Sequence, residues 1–442
     1  MHRVQEPRKP RLGGAISIED TSRPRLGKPF SVFQGVLVFS GLADGVYRVA
    51  LPLLALSLTR SPEAIGLIVA ASWLPWLVVA LPAGALTDRS APLLVMRYAI
   101  IVRASLILGL GGLAFLGLLP LWGFAVGALV LGTAGVFSDL SAQAMVPRLV
   151  EAPNLVRANG RTQSIQITTV QLVGPAVAGY FVLLGISGSF GLLGAVYLLG
   201  LVALLSVRSD RGPEPGSQRP GIRQLGAAVA VSVSDIREGM GYFVRRPDIL
   251  SLAALAAAAN FALTAMMTVI PLWGTGPLGL TPAAYGLVVS AGAFGGITAG
   301  MLTHRVMAVI GERTVFRLCL PLLAGCVLLL TVRHVGALVA GLALYGMVIM
   351  FWNVASITYR QRTVPAEMFS RINAAYRWIT WGVMPFAALA AGVTAGALGV
   401  PAVFLGLCVL LLSVGALVGA RLQTVDRAET LHHDHSGGSS TA

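Results

Sequence analysis

Charged residues lie inside several long apolar stretches, and the types and spacing of some of them could support proton or substrate chemistry. Asp44 and Arg48 are four positions apart, so a helix would place them on one face, close enough for an ion pair. Asp139 and Arg103 lie at similar depths in two other apolar stretches, and a structural salt bridge between them is the favoured interpretation. Ionisable groups are costly at membrane depth and are a functional hypothesis there by default. Asp44 is the first candidate for a proton-carrying group and Asp139 is the second.

Asp44 has two alternatives to proton carriage, which are an anchor for a cationic substrate and a static pair with Arg48. Arg377 has no acidic neighbour in its own apolar stretch, so it could meet a substrate anion, a helix end or a carbonyl. Further polar and aromatic residues are candidates for the lining of a cavity, with helix packing as the alternative for the aromatic ones: Tyr47, Asn260, Asn353, Trp73, Trp76, Trp352, Trp378 and Trp381.

The sequence offers no group that would hydrolyse a nucleotide or hold a metal. Lysine occurs only at Lys9 and Lys28, whereas a phosphate-binding loop needs a lysine directly after Gly-x-x-x-x-Gly. There is no His-Glu-x-x-His motif, and the three cysteines, Cys319, Cys326 and Cys408, lack metal-ligand or disulfide spacing. We therefore expect no enzyme activity, no cofactor, no metal and no nucleotide partner. An ion gradient would have to drive any uphill transport.

The elements that position these residues are membrane-spanning helices. The 442-residue chain is 56% hydrophobic and only 11% charged, which excludes a soluble globular protein. A helix needs about 20 apolar residues to cross the bilayer core, and helices satisfy the backbone of runs this long. We predict an all-α integral membrane protein with twelve spans, at residues 30–58, 64–86, 92–117, 121–146, 163–185, 188–207, 249–274, 283–304, 314–332, 335–359, 370–397 and 400–422.

Arginine is distributed unevenly between the predicted loops. The net charge is +14, yet the loops on one side of the membrane hold only Arg60 and Arg333, and the other loop arginines fall on the opposite side. This positive-inside asymmetry predicts a multi-pass protein of the inner (plasma) membrane with both termini in the cytoplasm, and it argues against a nucleic-acid partner. Residues 1–29 and 423–442 are predicted to be disordered cytoplasmic tails.

The chain divides into two bundles of six spans each. Residues 208–248 are the one long polar interruption and are predicted to be a cytoplasmic linker. Within it, residues 225–246 are either a helix on the membrane surface or a plain linker helix. The N-terminal bundle covers residues 30–207 and the C-terminal bundle covers residues 249–422. Because six is even, both bundles enter the membrane in the same orientation.

A short motif occurs once in each bundle. Ala83–Arg89 and Ala299–Arg305 agree at five of seven positions. About fifty residues beyond each copy, Gln143 and Gln361 begin a second shared pattern that contains a proline and an Arg-x-Asn. An internal duplication of this kind in a hydrophobic chain is typical of a secondary transporter built from two related halves.

The repeated motif is predicted to be a conformational latch between the halves. Gly84 and Gly300 would let helices approach closely at one membrane face. Asp88 would accept hydrogen bonds from backbone amides at a helix start, and the second copy has a histidine in its place. Arg89 and Arg305 would anchor the short turns in the cytoplasm. The latch would form when the cavity faces outward and break when it faces inward.

The motif Gly84-x-x-x-Asp88-Arg89 resembles the signature loop of the major facilitator superfamily. The match is partial, because Ala91–Leu93 replaces the glycine and basic residues that usually follow. Any latch contact that those basic residues make in the superfamily is therefore missing here.

A second resemblance lies in the fifth predicted span. Gly174, Pro175 and Gly179 place proline and small residues within it, which permits a kink and tight helix packing. They are similar to the fifth-helix motif of the superfamily's antiporters, without its first glycines or its double-glycine end. The runs Asp139–Gly160 and Trp352–Arg377 resemble the branch that holds enterobactin-exporter-like and macrolide-efflux-like proteins.

The resemblance covers about residues 30–421 and implies two six-helix bundles that rock around a central cavity lined by helices one, four, seven and ten. It implies a monomer that exports a small amphiphilic molecule (a drug, a siderophore or a secondary metabolite) by proton antiport. Its partners would be that substrate, protons and the lipid bilayer. The alternatives are a proton-coupled importer and a non-transporting membrane sensor or lipid-handling protein on the same scaffold.

Overall fold

The regular secondary structure is entirely helical in the part of the chain that is described. The computed structural model describes residues 27–437 apart from residues 90, 152–153, 208–233, 235–236, 238–239 and 244. Within these ranges no strand occurs, and ten helices are long and apolar enough to cross a membrane. This confirms the prediction of an all-α membrane protein.

The ten long apolar helices in the described ranges account for eleven of the twelve predicted spans, because one of them contains two spans. The remaining span is formed by two shorter helices. Pro282–Leu329 is a single run of 48 residues, but Gly311 interrupts it with a φ of 74°. The eighth and ninth predicted spans lie on either side of that glycine. The second crossing begins with a shorter apolar helix, Pro62–Val78, and continues into Ala80–Arg89.

The helices of the first half are α1 (Lys28–Ala55), α2 (Pro62–Val78), α3 (Ala80–Arg89), α4 (Pro92–Phe115), α5 (Leu121–Leu149), α6 (Leu155–Gln166), α7 (Gly174–Val182) and α8 (Gly185–Leu205), with a π-helical segment (Ile167–Val173) between α6 and α7. Those of the second half are α9 (Pro247–Thr275), α10 (Pro282–Leu329), α11 (Val335–Thr363), α12 (Ala366–Gly382), α13 (Met384–Leu398) and α14 (Val400–Gly437). The fifth crossing is α6 to α7, and the eleventh is α12 with α13.

The second crossing of each half begins with the same capping arrangement. Ser61 precedes Pro62, and its Oγ accepts a hydrogen bond at 3.2 Å from the backbone N–H three residues ahead. Thr281 precedes Pro282 and accepts the equivalent hydrogen bond, also at 3.2 Å. Proline suits this position because the first helical N–H has no intrahelical partner. The shared start is further support for the internal duplication.

Small residues let the fifth crossing pack tightly against the first. A Cβ on Gly174 would lie 2.6 Å from the Cα of Gly45, and a Cβ on Gly45 would lie 2.7 Å from the carbonyl oxygen of Thr169. Thr169 belongs to the π-helical segment that precedes Pro175. Proline lacks the N–H of a regular turn, and a π-helical turn accommodates that loss. The predicted packing motif therefore lies where α1 and α7 cross closely.

The same motif also contacts the second half of the protein. Gly179 packs directly against the backbone of Pro282 at the start of α10. About two turns further into the membrane, Ser290 donates a hydrogen bond from Oγ to the carbonyl oxygen of Leu172 at 2.9 Å. A serine of the second half thus binds a carbonyl of the irregular π-helical segment in the first half.

The halves also meet along the second and eleventh crossings. We call the membrane side on which α1 begins the proximal face and the opposite side the distal face. Near the distal face, a Cβ on Gly66 would lie 2.9 Å from the Cα of Gly392, and one on Gly392 would lie 2.8 Å from the carbonyl oxygen of Pro62. Towards the middle of the bundle, Trp378 Nε1 donates to the carbonyl of Leu77 at 3.2 Å. Farther towards the proximal face, α3 packs against α4 and α5 of its own half.

The close approach predicted for the latch glycines is absent from this arrangement. A Cβ on Gly84 would meet nothing within 4 Å, and one on Gly300 would meet only a methionine methyl group of its own half, at 3.3 Å. The physical reason is that the described contacts between the halves lie on the distal side and in the middle of the bundle. The side chain of Arg305 is exposed, and the side chains of Asp88 and Arg89 lie outside the described residues.

The last helix is longer than predicted. α14 continues to Gly437, so the backbone is helical beyond residue 422, where the prediction of a disordered tail began. The physical reason is that residues 420–436 contain neither proline nor glycine. The predicted amino-terminal tail, up to residue 26, and most of the predicted linker, residues 208–233, lie outside the described residues.

Candidate functional site

Asp44 joins three crossings of the first half through its carboxylate. Arg103 of α4 places Nη1 3.0 Å from Asp44 Oδ1 and 3.1 Å from Oδ2. Tyr197 of α8 donates a hydrogen bond from its hydroxyl to Oδ1 at 2.7 Å. The side chains of Arg103 and Asp44 are only 5% and 18% exposed. A charge buried this deeply needs a partner, and here each charge has the other.

A glycine on α5 provides the space for the guanidinium of Arg103. A Cβ on Gly135 would lie 2.5 Å from Arg103 Nη2, so no larger residue fits there without a shift. Asp139 follows one turn later on the same helix. The predicted Arg103–Asp139 salt bridge is nevertheless wrong, because the ion pair of Arg103 within 4.0 Å is with Asp44. Arg103 and Asp139 do lie within electrostatic range of each other, but the guanidinium is turned towards Asp44.

Asp139 has no hydrogen bond or ion pair within 4.0 Å to any described residue. It lies within electrostatic range of Asp44, Arg103, Arg48 and Arg377. Three of these neighbours come from the first half, and Arg377 comes from α12 of the second half. The centre of the bundle therefore holds a partly exposed carboxylate that is surrounded by charges and paired with none of them.

Arg48 does not pair with Asp44, so the alternative of a static pair between these two residues is not what the structure has. The guanidinium of Arg48 lies over the ring of Trp73 on α2, with its central carbon 5.3 Å from the ring centroid. Its side chain is exposed, whereas Asp44 is turned towards Arg103 and Tyr197. Spacing of four residues allowed the pair, but the neighbouring helices offered both side chains other partners.

Arg377 of α12, in the second half of the chain, also lies over a tryptophan. The central guanidinium carbon of Arg377 is 4.5 Å from the ring centroid of Trp381. Trp381 in turn contacts Trp76 of α2 edge-on, with centroids 4.7 Å apart and an interplanar angle of 80°. Trp378, one turn before Trp381 on α12, is held by its hydrogen bond to Leu77. The second and eleventh crossings thus meet through tryptophans beside the charged residues.

The remaining candidates are dispersed. Tyr47 is buried beside Asp44 and Arg103, and its hydroxyl has no hydrogen-bond partner among the described residues. Asn260 donates to the carbonyl of Thr380 at 3.0 Å and so ties α9 to α12.

Two further candidates lie in α11 and differ in exposure. Asn353 is exposed, whereas its neighbour Trp352 is buried. Trp352 packs edge-on against Phe316, with centroids 5.3 Å apart, within the second half. Of the two alternatives for Trp352, its burial and this ring contact favour helix packing within its own bundle.

Sequence reasoning missed Tyr197 and Gly135. The only signal for Tyr197 is a phenol hydroxyl inside an otherwise apolar stretch, and nothing distinguishes Gly135 from the other 51 glycines of the chain. A buried arginine of the second half was also missed. Arg360 donates from Nη1 to Asn373 Oδ1 at 2.6 Å, and its guanidinium lies 3.7 Å from the ring centroid of Tyr376.

The described residues contain no group of three or more histidine, cysteine, aspartate or glutamate side chains that could hold a metal ion. The site consists instead of carboxylates, guanidiniums, phenols and indoles. Such groups can exchange protons, hold charged groups of a ligand and provide flat apolar surfaces. The arrangement is suited to binding and to proton exchange.

Comparison with known proteins gives one family. The sequence model of the Major Facilitator Superfamily matches residues 35–388. An uncharacterized MFS-type transporter of Sinorhizobium fredii (strain NBRC 101917 / NGR234), y4rN, is 26% identical over 364 residues, which are 80% of this chain and 85% of that protein.

Solved structures share the fold at low sequence identity. The nucleoside transporter NupG superposes with a TM-score of 0.69 at 11% identity, covering 89% of this chain and 99% of NupG. A bacterial homolog of the human lysosomal transporter Spinster, inward-facing and unoccupied, superposes with a TM-score of 0.66 at 13% identity, covering 90% and 97%. A bacterial homologue of the iron transporter ferroportin, also inward-facing, gives 0.59 at 14% identity, covering 88% and 98%.

Proposed function

The chain belongs to the Major Facilitator Superfamily, and on that basis we propose that it is a proton-coupled exporter of small amphiphilic molecules. Membership makes it a multi-pass membrane transporter of the MFS type. The observation that carries the proposal is the environment of Asp139. This carboxylate lies among charged groups of both halves and is paired with none of them. A group in that position can gain or lose a proton without breaking an ion pair.

The geometry favours Asp139 over Asp44 as the proton carrier. Protonation of Asp44 would remove the charge that Arg103 and Tyr197 both bind, and it would leave a buried guanidinium without a counter-charge. Protonation of Asp139 breaks no direct contact. It changes the electrostatic balance felt by Arg48, Arg103 and Arg377, and so it links proton binding to groups on both halves.

The contacts between the halves define the conformational state. Under the positive-inside rule the proximal face is cytoplasmic, since it carries the arginine-rich loops. The halves then meet on the outer side, through Gly66 and Gly392 and through Gly179 and Pro282. These contacts support a state in which the site faces the cytoplasm, which is where an exporter would load its substrate. Rocking would separate these contacts and would bring the latch around Gly84 together.

The export direction rests on two features. The runs Asp139–Gly160 and Trp352–Arg377 resemble enterobactin-exporter-like and macrolide-efflux-like proteins. The Gly174, Pro175 and Gly179 motif resembles that of antiporters, and it lies where the fifth crossing packs against both halves. Trp76 and Trp381 would offer an amphiphile an aromatic surface beside the charged groups.

Inverted membrane vesicles, energised to be acid inside, test the proposal. We would add fluorescent amphiphiles and follow proton release with a pH-sensitive dye. Wild type should release protons when substrate is added, Asp139→Asn should abolish that release, and Asp44→Asn should reduce it through lost protein stability. Glu151→Gln is the matched control, because it makes the same carboxylate-to-amide change at an exposed position.

Two outcomes would count against the proposal. Full proton release by Asp139→Asn would exclude that residue as the carrier. Absence of substrate-dependent proton release from every amphiphile in inverted vesicles, together with proton-driven uptake in right-side-out vesicles, would replace export by import. Both measurements use the full-length chain.

A further inference from the structure

Two arginines of the central region lack a hydrogen-bonding or ion-pairing partner among the described residues. The guanidinium carbons of Arg48 and Arg377 each lie over the face of a tryptophan, at 5.3 Å and 4.5 Å from the ring centroid. Arg103, by contrast, is paired with Asp44. A guanidinium has five N–H donors, and stacking on a ring uses none of them. The donors of Arg48 and Arg377 are therefore available to a ligand.

The two arginines lie at opposite ends of one aromatic surface. We define the tryptophan ladder as Trp73, Trp76 and Trp381. Trp73 and Trp76 are three residues apart on α2, so they lie on adjacent turns of one helix face. Trp76 contacts Trp381 at 4.7 Å. Arg48 lies over the first ring of the ladder and Arg377 over the last. One arginine comes from each half, so a ligand held by both would touch both halves.

The charges of this region do not cancel. Asp44 and Arg103 neutralise each other, which leaves the positive charges of Arg48 and Arg377 and the negative charge of Asp139. All of these lie within electrostatic range of Asp139. The uncompensated set is therefore two cations and one anion. Charge inside a membrane protein is stabilised when it is compensated, and a ligand that supplies both signs would compensate the arginines and Asp139 together.

Buried donors beside this region also lack partners. The Tyr47 hydroxyl and Arg103 Nε have no hydrogen-bond partner among the described residues, although both atoms are buried. Buried polar atoms without partners are rare in folded proteins and call for an explanation. Both atoms lie close to Asp44, next to the uncompensated charges. A polar ligand that fills this space would satisfy them.

We infer that the substrate is a small aromatic molecule that carries both an acid group and a basic amine. The acid group would bind Arg377, which is less exposed than Arg48, since a carboxylate accepts paired hydrogen bonds from a guanidinium. Arg48, at the other end of the ladder, would attract the acid group at longer range. The amine would bind the carboxylate of Asp139. The ring would lie on the tryptophan ladder. A substrate with only a positive charge would be repelled by the two arginines, and one with only a negative charge would be repelled by Asp139.

This inference rests on the proposed function and explains how coupling would arise. The amine and a proton compete for the same carboxylate on Asp139. On the cytoplasmic side the ionised carboxylate binds the amine, and on the outer side a proton takes its place when the substrate leaves. No covalent bond forms or breaks, and one positive charge replaces another on Asp139. Competition of this kind produces antiport.

A matched set of probes tests the charge requirement. The full-length protein in lipid nanodiscs would be titrated with ε-dansyl-lysine, which has a free amine and a free carboxylate. The controls are its methyl ester, which keeps only the amine, and its Nα-acetyl derivative, which keeps only the acid. All three carry the same fluorophore. We expect ε-dansyl-lysine to bind about tenfold or more tightly than either control, as the loss of one charged contact implies.

Variants then assign each charge to its residue. Arg377→Gln should lower the affinity for ε-dansyl-lysine about tenfold, and Arg48→Gln should lower it by less. Both variants should raise the affinity for the methyl ester, because each removes a positive charge that repels its amine. Asp139→Asn should make the affinity for ε-dansyl-lysine equal to that for its Nα-acetyl derivative, because it removes the carboxylate that would bind the amine. Arg333→Gln is the matched control, because Arg333 also lies over a tryptophan, Trp273, at 5.7 Å, but near the distal face. It should leave all three affinities unchanged.

The failure of this inference and that of the proposed function are distinguishable. Equal affinity for the three probes, or binding of none of them, would overturn the inferred substrate class. Proton release driven by neutral amphiphiles in the vesicle assay would leave the transport proposal intact in that case. Conversely, selective binding of ε-dansyl-lysine without any proton release would support the substrate class and overturn proton coupling.

Discussion

Arg103 of α4 binds Asp44 of α1 across 59 positions of sequence, with Nη1 3.0 Å from Oδ1. Tyr197 donates to the same carboxylate oxygen, so the first, third and sixth crossings are tied together at one point. The pair is neutral and mostly shielded from solvent. It leaves Asp139, one turn beyond Gly135 on the fourth crossing, as a carboxylate that has no ion pair with any described residue.

Removing one member of this pair should cost far more than removing both. Asp44→Asn leaves the guanidinium of Arg103 buried without a counter-charge, and we expect a loss of about 3–5 kcal/mol in the free energy of unfolding. The double variant Asp44→Leu with Arg103→Leu should recover most of that loss, since no charge stays buried. Unfolding of the purified protein by SDS in micelles measures both.

Tyr197→Phe separates the hydrogen bond from the ion pair. It removes only the hydroxyl, so the expected loss in the free energy of unfolding is about 1.5–3 kcal/mol, typical of a hydrogen bond to a charged group.

The double variant Asp44→Leu with Arg103→Leu could contradict the role of charge balance. If it loses as much free energy of unfolding as Asp44→Asn, the pair matters for its shape and not for its charge balance.

The helices were predictable from the sequence because each long apolar stretch forms a helix in lipid. The partners of the charged residues were not. Arg103 and Asp139 were assigned to similar depths, and Gly135, one turn from Asp139, does contact the guanidinium. Which neighbour an arginine turns towards depends on the rotation of each helix about its axis. A helix that is apolar on all sides has no polar face in its sequence pattern, so the pattern does not determine that rotation.

Gly135→Ala should displace Arg103 without altering any charge. Its Cβ would lie 2.5 Å from Arg103 Nη2, well inside contact distance, so the guanidinium must move or the helices must separate. We expect a loss of about 1–3 kcal/mol in the free energy of unfolding, typical of overpacking. Gly109→Ala on α4 is the control, because a Cβ there meets nothing within 4 Å. Equal stability of the two variants would mean that Arg103 has room to move.

The repeated Arg-x-Asn pattern predicts unequal roles for its two asparagines. Asn373 accepts from buried Arg360 at 2.6 Å, whereas Asn159 in the first half is exposed. Asn373→Ala should therefore cost about 1.5–3 kcal/mol, because it removes the hydrogen bond of a charged donor. Asn159→Ala should change the free energy of unfolding by less than about 0.5 kcal/mol, as is usual for exposed sites. Circular dichroism during SDS titration would compare the two.

The duplication itself was visible in the sequence, but its consequences differ between the halves. Asp44 and Asn260 lie at similar depths in the first and seventh crossings. The aspartate binds an arginine and a tyrosine, while the asparagine donates to the carbonyl of Thr380 on the eleventh crossing. A repeat predicts equivalent positions, and the residue at each position then decides the chemistry. Among the described residues, the ion pair inside the apolar spans, Arg103–Asp44, therefore lies in the first half. The ion pairs of the second half, Arg246–Asp248 and Arg362–Glu312, lie outside its apolar spans.

The glycine contact at the distal face should control which side of the membrane the site faces. A Cβ on Gly392 would lie 2.8 Å from the carbonyl of Pro62, so Gly392→Val should force the second and eleventh crossings apart. Overpacking costs about 1–3 kcal/mol, which corresponds to a shift of roughly 5- to 150-fold in the ratio of the two conformations. Spin labels on cysteines at positions 60 and 398, in a background without the native cysteines, would report a longer distance by pulsed electron resonance. Gly406→Val is the control, because a Cβ at Gly406 meets nothing within 4 Å. An unchanged distance in Gly392→Val would show that this contact does not hold the distal side closed.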